Sequence, residues 1–213
     1  MSGSIVWAVS GGVLAGGLPP VVVRAHPPQA AQGDKHFEWR PVVPPVWLWV
    51  GLGAAAGMVL AVRFAHSSAL PAYLAFALCA APLCAVDLAS ARIPDKILAP
   101  TAGLVLVCFA ASSAAGGGSG PLVRAVSALL VVGCGFFMLA LVAAGGFGLG
   151  DVKLVAVLAA LEGYQSWTTV FSGLFTGFAI AAVAGLAACN GRRSRQISLA
   201  PWLILGALTA LVL

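Results

Sequence analysis

Long stretches without charge dominate this chain and limit what it can fold into. Eight apolar segments follow one another, and most approach the roughly 20 residues that an α-helix needs to cross a bilayer. With 61% hydrophobic and 8% charged residues, the chain lies far from the composition of soluble domains. We therefore predict an all-α polytopic membrane protein of about eight transmembrane helices. The segments are Ile5–Val23, Val43–Val62, Ala69–Val86, Ile97–Ser113, Leu122–Ala144, Val152–Gly163, Thr168–Cys189 and Ile197–Leu213.

Basic residues are distributed unevenly between the connections. If all eight segments span, one set of connections carries nine of the 11 Lys and Arg residues, and the other carries Arg63 and Arg124. The positive-inside rule places the richer set in the cytoplasm, so both termini are predicted to be extracytoplasmic. We expect one integral-membrane domain over 1–213, with 24–42 as a cytoplasmic loop. This topology explains the net charge of +5 without a nucleic-acid partner. The nine are Arg24, Lys35, Arg40, Arg92, Lys96, Lys153, Arg192, Arg193 and Arg195.

Cysteine and histidine residues give no sign of a metal centre or of a nucleophilic triad. A tetrahedral zinc site needs clustered ligands, and no CxxC pair occurs. We interpret the cysteines as small apolar packing residues and the histidines as solvated loop residues. The cysteines are Cys79, Cys84, Cys108, Cys134 and Cys189, and the histidines are His26, His36 and His66.

Two aspartates stand next to apolar segments. Asp87 directly follows the run Ala69–Val86, and Asp151 lies between two other runs in the sequence Gly148–Lys153, Gly-Leu-Gly-Asp-Val-Lys. A carboxylate at membrane depth is costly and usually faces a protein interior or a water-filled cavity. The predicted topology puts both acids at the cytoplasmic ends of their helices. Two carboxylates held together cannot both ionise, so one can take a proton from water while the other donates one.

Each acid also has a simpler interpretation. Asp87 alone is compatible with a solvated loop charge that pairs with Arg92 or Lys96. Asp151 alone is compatible with an N-cap acid, because the glycine-rich stretch before it can break a helix.

The two acidic segments together resemble a known family. The stretch 87–95 reads Asp, four residues, then Arg92-Ile93-Pro94-Asp95, and Gly148–Lys153 matches the pattern GxGDxK. These are similar to the two aspartate motifs of the type IV prepilin peptidases, which belong to the GxGD intramembrane aspartyl proteases. The segment Ile197–Ala207 is similar to the last helix of that family.

The resemblance implies an activity and a site. Such enzymes remove a basic leader from prepilin or pseudopilin precursors at the cytoplasmic face of the inner membrane. The motif match carries over Asp87 and Asp151 as the catalytic pair. Lys153 matches the motif lysine, and two interpretations are equally compatible with it: a residue that orients the loop or tunes a carboxylate, and a snorkelling anchor. Charge complementarity makes Asp34, Glu38 and Asp95 candidate acceptors for a basic leader. Supporting motif residues are Gly148, Gly150, Lys153, Arg92 and Pro94.

One departure from the family concerns its cofactors. Many bacterial members have a four-cysteine zinc module between the first two helices and also methylate the new pilin terminus with S-adenosylmethionine. Here 24–42 contains no cysteine. We therefore expect a minimal peptidase that uses neither zinc nor S-adenosylmethionine.

Two other classes of protein remain open from the residues. A proton-coupled transporter would use the same carboxylates as a proton relay, with the glycine-broken helix lining its path. A catalytically silent membrane assembly protein is the third interpretation, since a fold does not determine function.

Overall fold

All regular structure in the described part of the chain is helical. A computed structural model describes residues 46–90, 93–142, 148–188 and 198–213. A π-helical turn, Ser113–Gly117, joins the third helix to the fourth. The prediction of an all-α fold is thereby confirmed for these residues. The helices are α1 Val46–Arg63, α2 Leu70–Ser90, α3 Asp95–Ser112, α4 Ser119–Val142, α5 Leu149–Gln165, α6 Trp167–Ala188 and α7 Ala200–Val212.

Four stretches among the described residues are long and apolar enough to cross a membrane. They fall on α2, α3, α4 and α6, and each corresponds to one of the predicted segments. Their composition supports a membrane protein. The four are Leu70–Leu88, Asp95–Gly117, Ser119–Val142 and Trp167–Leu186.

The other predicted segments are shorter or lie outside the described residues. Helices α1 and α7 contribute apolar stretches of less than spanning length, Gly51–Arg63 and Ala200–Val212. Helix α5 has 17 residues, or about 25 Å at 1.5 Å per residue. Segment Ile5–Val23 and the loop 24–42 lie outside the described residues. The count of eight spans and the location of the termini therefore stay predictions.

Helix α5 lies at the centre of the packing. It contacts α3, α4, α6 and α7, and nearly every residue from Val152 to Gly163 is buried. A helix that is apolar on all sides is stable only when protein surrounds it. In contrast, α4 exposes Val131, Phe137 and Leu141 on its outer surface, as a lipid-facing helix does. The short predicted segment Val152–Gly163 is thus part of α5, the central helix of the bundle.

Helix boundaries differ from the predicted ones where the two acids lie. Helix α2 continues to Ser90, so Asp87 lies in its last turn instead of following it. Helix α5 begins at Leu149, so Asp151 lies in its first turn. Neither hydrophobic pattern includes these turns, because a carboxylate interrupts each apolar run. We call the end of the bundle that holds Asp87 and Asp151 the carboxylate end.

The opposite end of α5 is closed by an arginine. Arg124 of α4 donates hydrogen bonds to the carbonyl oxygens of Gly163 at 2.7 Å, Tyr164 at 2.7 Å and Gln165 at 2.6 Å. These carbonyls have no partner within the helix, and a cation suits the helix C-terminus. Arg124 was counted among the charges of the connections although the predicted segment Leu122–Ala144 contains it; it lies in the first turns of α4 and ties α4 to α5.

Hydrogen bonds near its end and close packing in its middle hold helix α7 in place. Near its end, Arg63 Nε donates to the Val212 carbonyl at 3.3 Å and Gln165 Nε2 donates to the Leu211 carbonyl at 3.4 Å. In its middle, Gly206 lies directly against the backbone of α6 at Gly177. Small residues permit such close approach of two membrane helices. The start of α7 is thereby held at the carboxylate end.

Candidate active site

Asp87 is a buried carboxylate with defined partners. Its side chain is 3% exposed. Its Oδ2 atom accepts a hydrogen bond from the Ser198 hydroxyl and a second, at 3.0 Å, from the backbone N–H of Ala200. This burial and these partners do not fit a solvated loop charge. Lys96 is exposed, and Arg92 lies outside the described residues.

The start of α7 supplies these donors because of its local sequence. The first backbone N–H groups of a helix have no partner within it and point out along its axis. Pro201, which has no N–H, occupies the first turn, a position that proline favours. Ser198 precedes the N-cap residue Leu199, so its hydroxyl and the Ala200 N–H can reach the same acceptor. The partial positive charge of the helix N-terminus also suits a carboxylate.

Asp151 lies in the first turn of α5. Gly148 is the N-cap residue, with φ −71° and ψ 136°, and its carbonyl accepts a hydrogen bond from the Asp151 N–H at 3.0 Å. Asp151 is therefore the third helical residue and not the N-cap itself. Its side chain is half-buried.

The two carboxyl groups interact electrostatically. Asp151 lies outside the four candidate spans, and its pKa is raised to about 6. Burial is the main cause and the charge of Asp87 adds to it, whereas a hydrogen bond with the Gly148 backbone acts in the opposite direction. Like charges that share a site oppose double ionisation. The pair can therefore hold one proton near neutral pH, which is the state that acid–base chemistry with two carboxylates needs.

Glycines bring the two aspartate motifs into contact. A Cβ atom at Gly150 would lie 3.1 Å from the Ile93 Cβ and 3.5 Å from the Ile93 backbone nitrogen. A Cβ atom at Gly148 would lie 3.1 Å from Oδ2 of Asp151. Both glycines thus leave room for their neighbours. Gly150 lets the first turn of α5 lie against Ile93, in the chain between α2 and α3.

An ion pair joins the same motifs at the surface. Lys153 Nζ lies 2.7 Å from Oδ1 and 2.8 Å from Oδ2 of Asp95. Pro94 is the N-cap residue of α3, with φ −75° and ψ 124°, and Asp95 is the first residue of that helix. Pro94 thus sets where α3 begins, and Lys153 is paired with a carboxylate instead of reaching alone toward lipid headgroups.

We expect the Asp95–Lys153 pair to contribute little to stability. Its side chains are 65% and 53% exposed, and exposed pairs are worth about 0–1 kcal/mol. A double-mutant cycle of Asp95→Asn and Lys153→Met, followed by thermal unfolding in detergent, measures the coupling. A coupling energy of several kcal/mol would contradict this assignment of a surface pair.

The hydroxyl and amide donors to Asp87 were not predicted from the sequence. Ser198 and Ala200 lie in Ile197–Ala207, the segment that is similar to the last helix of the family. A serine shortly before Ala-Pro at the start of an apolar run is a signal for a helix N-terminus. That signal locates free N–H groups but does not say which distant acceptor they meet.

The described residues contain no cluster of three metal-ligating side chains. Cys79, Cys84 and Cys108 are partly buried and Cys134 is exposed, all as free thiols. His66 is exposed in the turn after α1, as predicted. Cys189, His26 and His36 lie outside the described residues.

The comparison with protein families agrees with the two motifs. The model of the type IV leader peptidase family matches residues 73–189, more than half of the 213-residue chain. The match includes both aspartates and ends before α7. A search of curated proteins and a search of solved structures each returned no significant match. A helical, membrane-embedded chain that carries both motifs is thus a leader peptidase by class. This chain belongs to the type IV leader peptidase family.

Proposed function

We propose that this protein is a membrane-embedded aspartyl endopeptidase that removes basic leaders from type IV prepilin-like or pseudopilin precursors. The observation that carries this proposal is the close approach of the two aspartate motifs, where Gly150 lies against Ile93 and Asp87 interacts electrostatically with Asp151. Family membership supports the peptidase class. The paired carboxyl groups support the aspartic type.

The proposed reaction uses the pair as base and acid. One carboxylate takes a proton from water while the water oxygen bonds to the scissile carbonyl carbon. The other carboxyl group donates its proton to the carbonyl oxygen, which yields a gem-diol. The C–N bond then breaks, the leaving nitrogen receives the proton taken from water, and a diol hydroxyl returns a proton to the acid. Both carboxyl groups end in their starting states.

The proposed cleavage site lies at the cytoplasmic face. The positive-inside count and the location of both acids at one end of the bundle support this side. Asp95 is exposed at this end and is a candidate acceptor for a basic leader, as are Asp34 and Glu38, which lie outside the described residues. Asp95 already pairs with Lys153, so a leader would compete with that lysine.

We propose that this reaction needs neither zinc nor S-adenosylmethionine. The connection 24–42 contains no cysteine, so a four-cysteine module does not fit there. Activity that survives a chelator, and a cleaved pilin terminus without added methyl mass, would support this part of the proposal.

The proposal is tested with purified protein in liposomes. The substrate is a peptide that joins a basic leader to the start of a pilin-like apolar segment, and products are read by mass spectrometry. We expect one cut between the leader and the apolar segment, and weaker cleavage when the leader's basic residues are neutralised. Proton flux in these liposomes without any cleavage would instead favour the transporter.

Cleavage should decline at alkaline pH. The mechanism needs one proton on the pair, and the pKa of about 6 at Asp151 marks where the free enzyme loses it. We expect kcat/KM to fall as pH rises above this value, approaching about tenfold per pH unit. The measurement is kcat/KM over roughly pH 5 to 9, with tryptophan fluorescence to check that folding is unchanged. An increase in kcat/KM throughout that range would contradict the shared-proton mechanism.

A further inference from the structure

Asp87 and Asp151 differ in the hydrogen bonds that each receives. Asp87 accepts bonds from Ser198 and Ala200, residues more than a hundred positions away along the chain. Among the described residues, the group that lowers the pKa of Asp151 is the nearby Gly148 backbone, through a hydrogen bond. A carboxylate that accepts more hydrogen bonds is favoured in its ionised form. The two acids are therefore not equivalent.

The donor at Ala200 fixes the role of one oxygen of Asp87. A serine hydroxyl can donate or accept, but a backbone N–H can only donate. Since the Ala200 N–H and the Ser198 hydroxyl meet the same Oδ2 atom, this oxygen is an acceptor. Within the described residues, both hydrogen bonds to Asp87 end on Oδ2. Oδ1 is then the atom left to hold a water molecule.

We propose that Ser198 is a positioning residue that, with the first N–H of α7, keeps Asp87 as the ionised member of the pair. Asp87 Oδ1 then takes the proton from water, and Asp151 carries the proton that goes to the carbonyl oxygen. This assignment rests on the proposed aspartyl peptidase function and adds the division of roles within the pair. It also gives α7, which lies outside the family match, a part in the site.

Burial disfavours a negative charge on Asp87, and the two hydrogen bonds from the start of α7 act against that effect. Among the described residues, the titratable groups that interact with it electrostatically are Asp151 on α5 and Cys84 one turn earlier on α2. Neither is a cation, so within this part of the chain the donors from α7 are the groups that favour a negative charge on Asp87. Loss of the Ser198 hydroxyl should therefore make Asp87 harder to ionise.

The test compares three serine variants in the peptide-cleavage assay. Ser198→Ala should lower kcat by roughly 10- to 100-fold, the range for losing a hydrogen bond to a charged group, with little change in KM. It should also move the acidic limb of the pH profile of kcat/KM to higher pH, because the base must ionise. Ser198→Thr keeps a hydroxyl and should restore both kcat and the acidic limb.

Ser166→Ala is the matched control. The Ser166 hydroxyl binds the Thr169 N–H at the start of α6 and touches neither aspartate. Ser166→Ala should lower stability about as much as Ser198→Ala does, because each removes a serine hydroxyl at the start of a helix. The pH profile of kcat/KM should stay unchanged in Ser166→Ala.

The outcomes separate the inference from the function on which it rests. A shifted acidic limb in Ser198→Ala that Ser198→Thr reverses supports the inference. An unshifted profile in Ser198→Ala, or a shift confined to the alkaline limb, overturns it even if wild type cleaves and Asp87→Asn does not. Absence of cleavage by wild type overturns the proposed function and the inference together.

Discussion

Asp87→Asn and Asp151→Asn should each lower kcat/KM for leader cleavage by about 1000-fold or more. An amide can neither take a proton from water nor donate one as a carboxylic acid does, and general acid–base groups typically contribute about 10²–10⁴-fold. In Asp87→Asn the new amide would still offer an oxygen to Ser198 and Ala200, so the fold around it should persist. The measurement is kcat/KM for the purified variants in liposomes.

The stability of Asp151→Asn provides an internal check on this result. The pKa of Asp151 is raised from 3.8 to about 6 in the folded protein. Folding therefore favours the protonated form, and ionisation destabilises the folded state as pH rises from the lower value to the higher one. Asparagine removes this penalty, so the variant should unfold at a higher temperature than wild type above pH 6. An inactive variant that is also less stable would not establish a catalytic role.

Glu162→Gln is the matched carboxyl-to-amide control. Glu162 is 1% exposed at the far end of α5, beside Gly173 of α6, and its Oε2 has no hydrogen-bond partner among the described residues. A neutral side chain of the same shape should be tolerated there. We expect a cleavage rate within about twofold of wild type, since Glu162 is neither the proposed acid nor the proposed base. A large loss of cleavage in Glu162→Gln would mean that replacing a buried carboxyl group by an amide lowers activity by disturbing the fold.

Gly206→Ala should be the most destabilising single-methyl change in α7. A Cβ at Gly206 would overlap the Gly177 backbone and lie 2.7 Å from the Gly173 carbonyl oxygen. Backbone atoms cannot rotate away, so α7 must shift, at a cost of about 1–3 kcal/mol for overpacking. The shift also displaces Ser198 and Ala200 from Asp87, so cleavage should fall together with stability. Thermal unfolding in detergent and peptide cleavage measure the two effects.

Gly135→Ala is the control for this helix contact. A Cβ there meets no atom within 4 Å, because Gly135 lies on the outer side of α4. Alanine should stabilise or leave the helix unchanged, since glycine is the poorer helix former. Equal unfolding temperatures for the two variants would show that α6 and α7 do not pack through Gly206.

The hydrophobic pattern predicted the membrane class and located most helices, because apolar runs of spanning length have few other uses. It misplaced the helix ends at Asp87 and Asp151, since a carboxylate breaks the pattern while the backbone continues to hydrogen-bond. The short α5 was predicted from its apolar run, Val152–Gly163, and the distribution of Lys and Arg supported it. Its place at the centre follows from packing on all sides, which a linear pattern does not contain.

The candidate site was only partly predictable. Short motifs pointed to Asp87 and Asp151, and glycine at 150 indicated close packing without naming Ile93 as its neighbour. The bonds from Ser198 and Ala200 depend on how α7 docks against α6 through Gly206. The spacing of Gly173 and Gly177 is a known signal for such docking, but it does not identify the partner helix. Glu162, near the end of the predicted segment Val152–Gly163, is buried because α6 covers it at Gly173.

The most direct measurement is the intact mass of a prepilin co-expressed with wild type, Asp87→Asn or Asp151→Asn. The proposed function predicts loss of the leader with wild type and the full-length precursor with both variants, at equal amounts of enzyme in the membrane. Equal loss of the leader in all three would contradict the assignment of Asp87 and Asp151 as the catalytic pair.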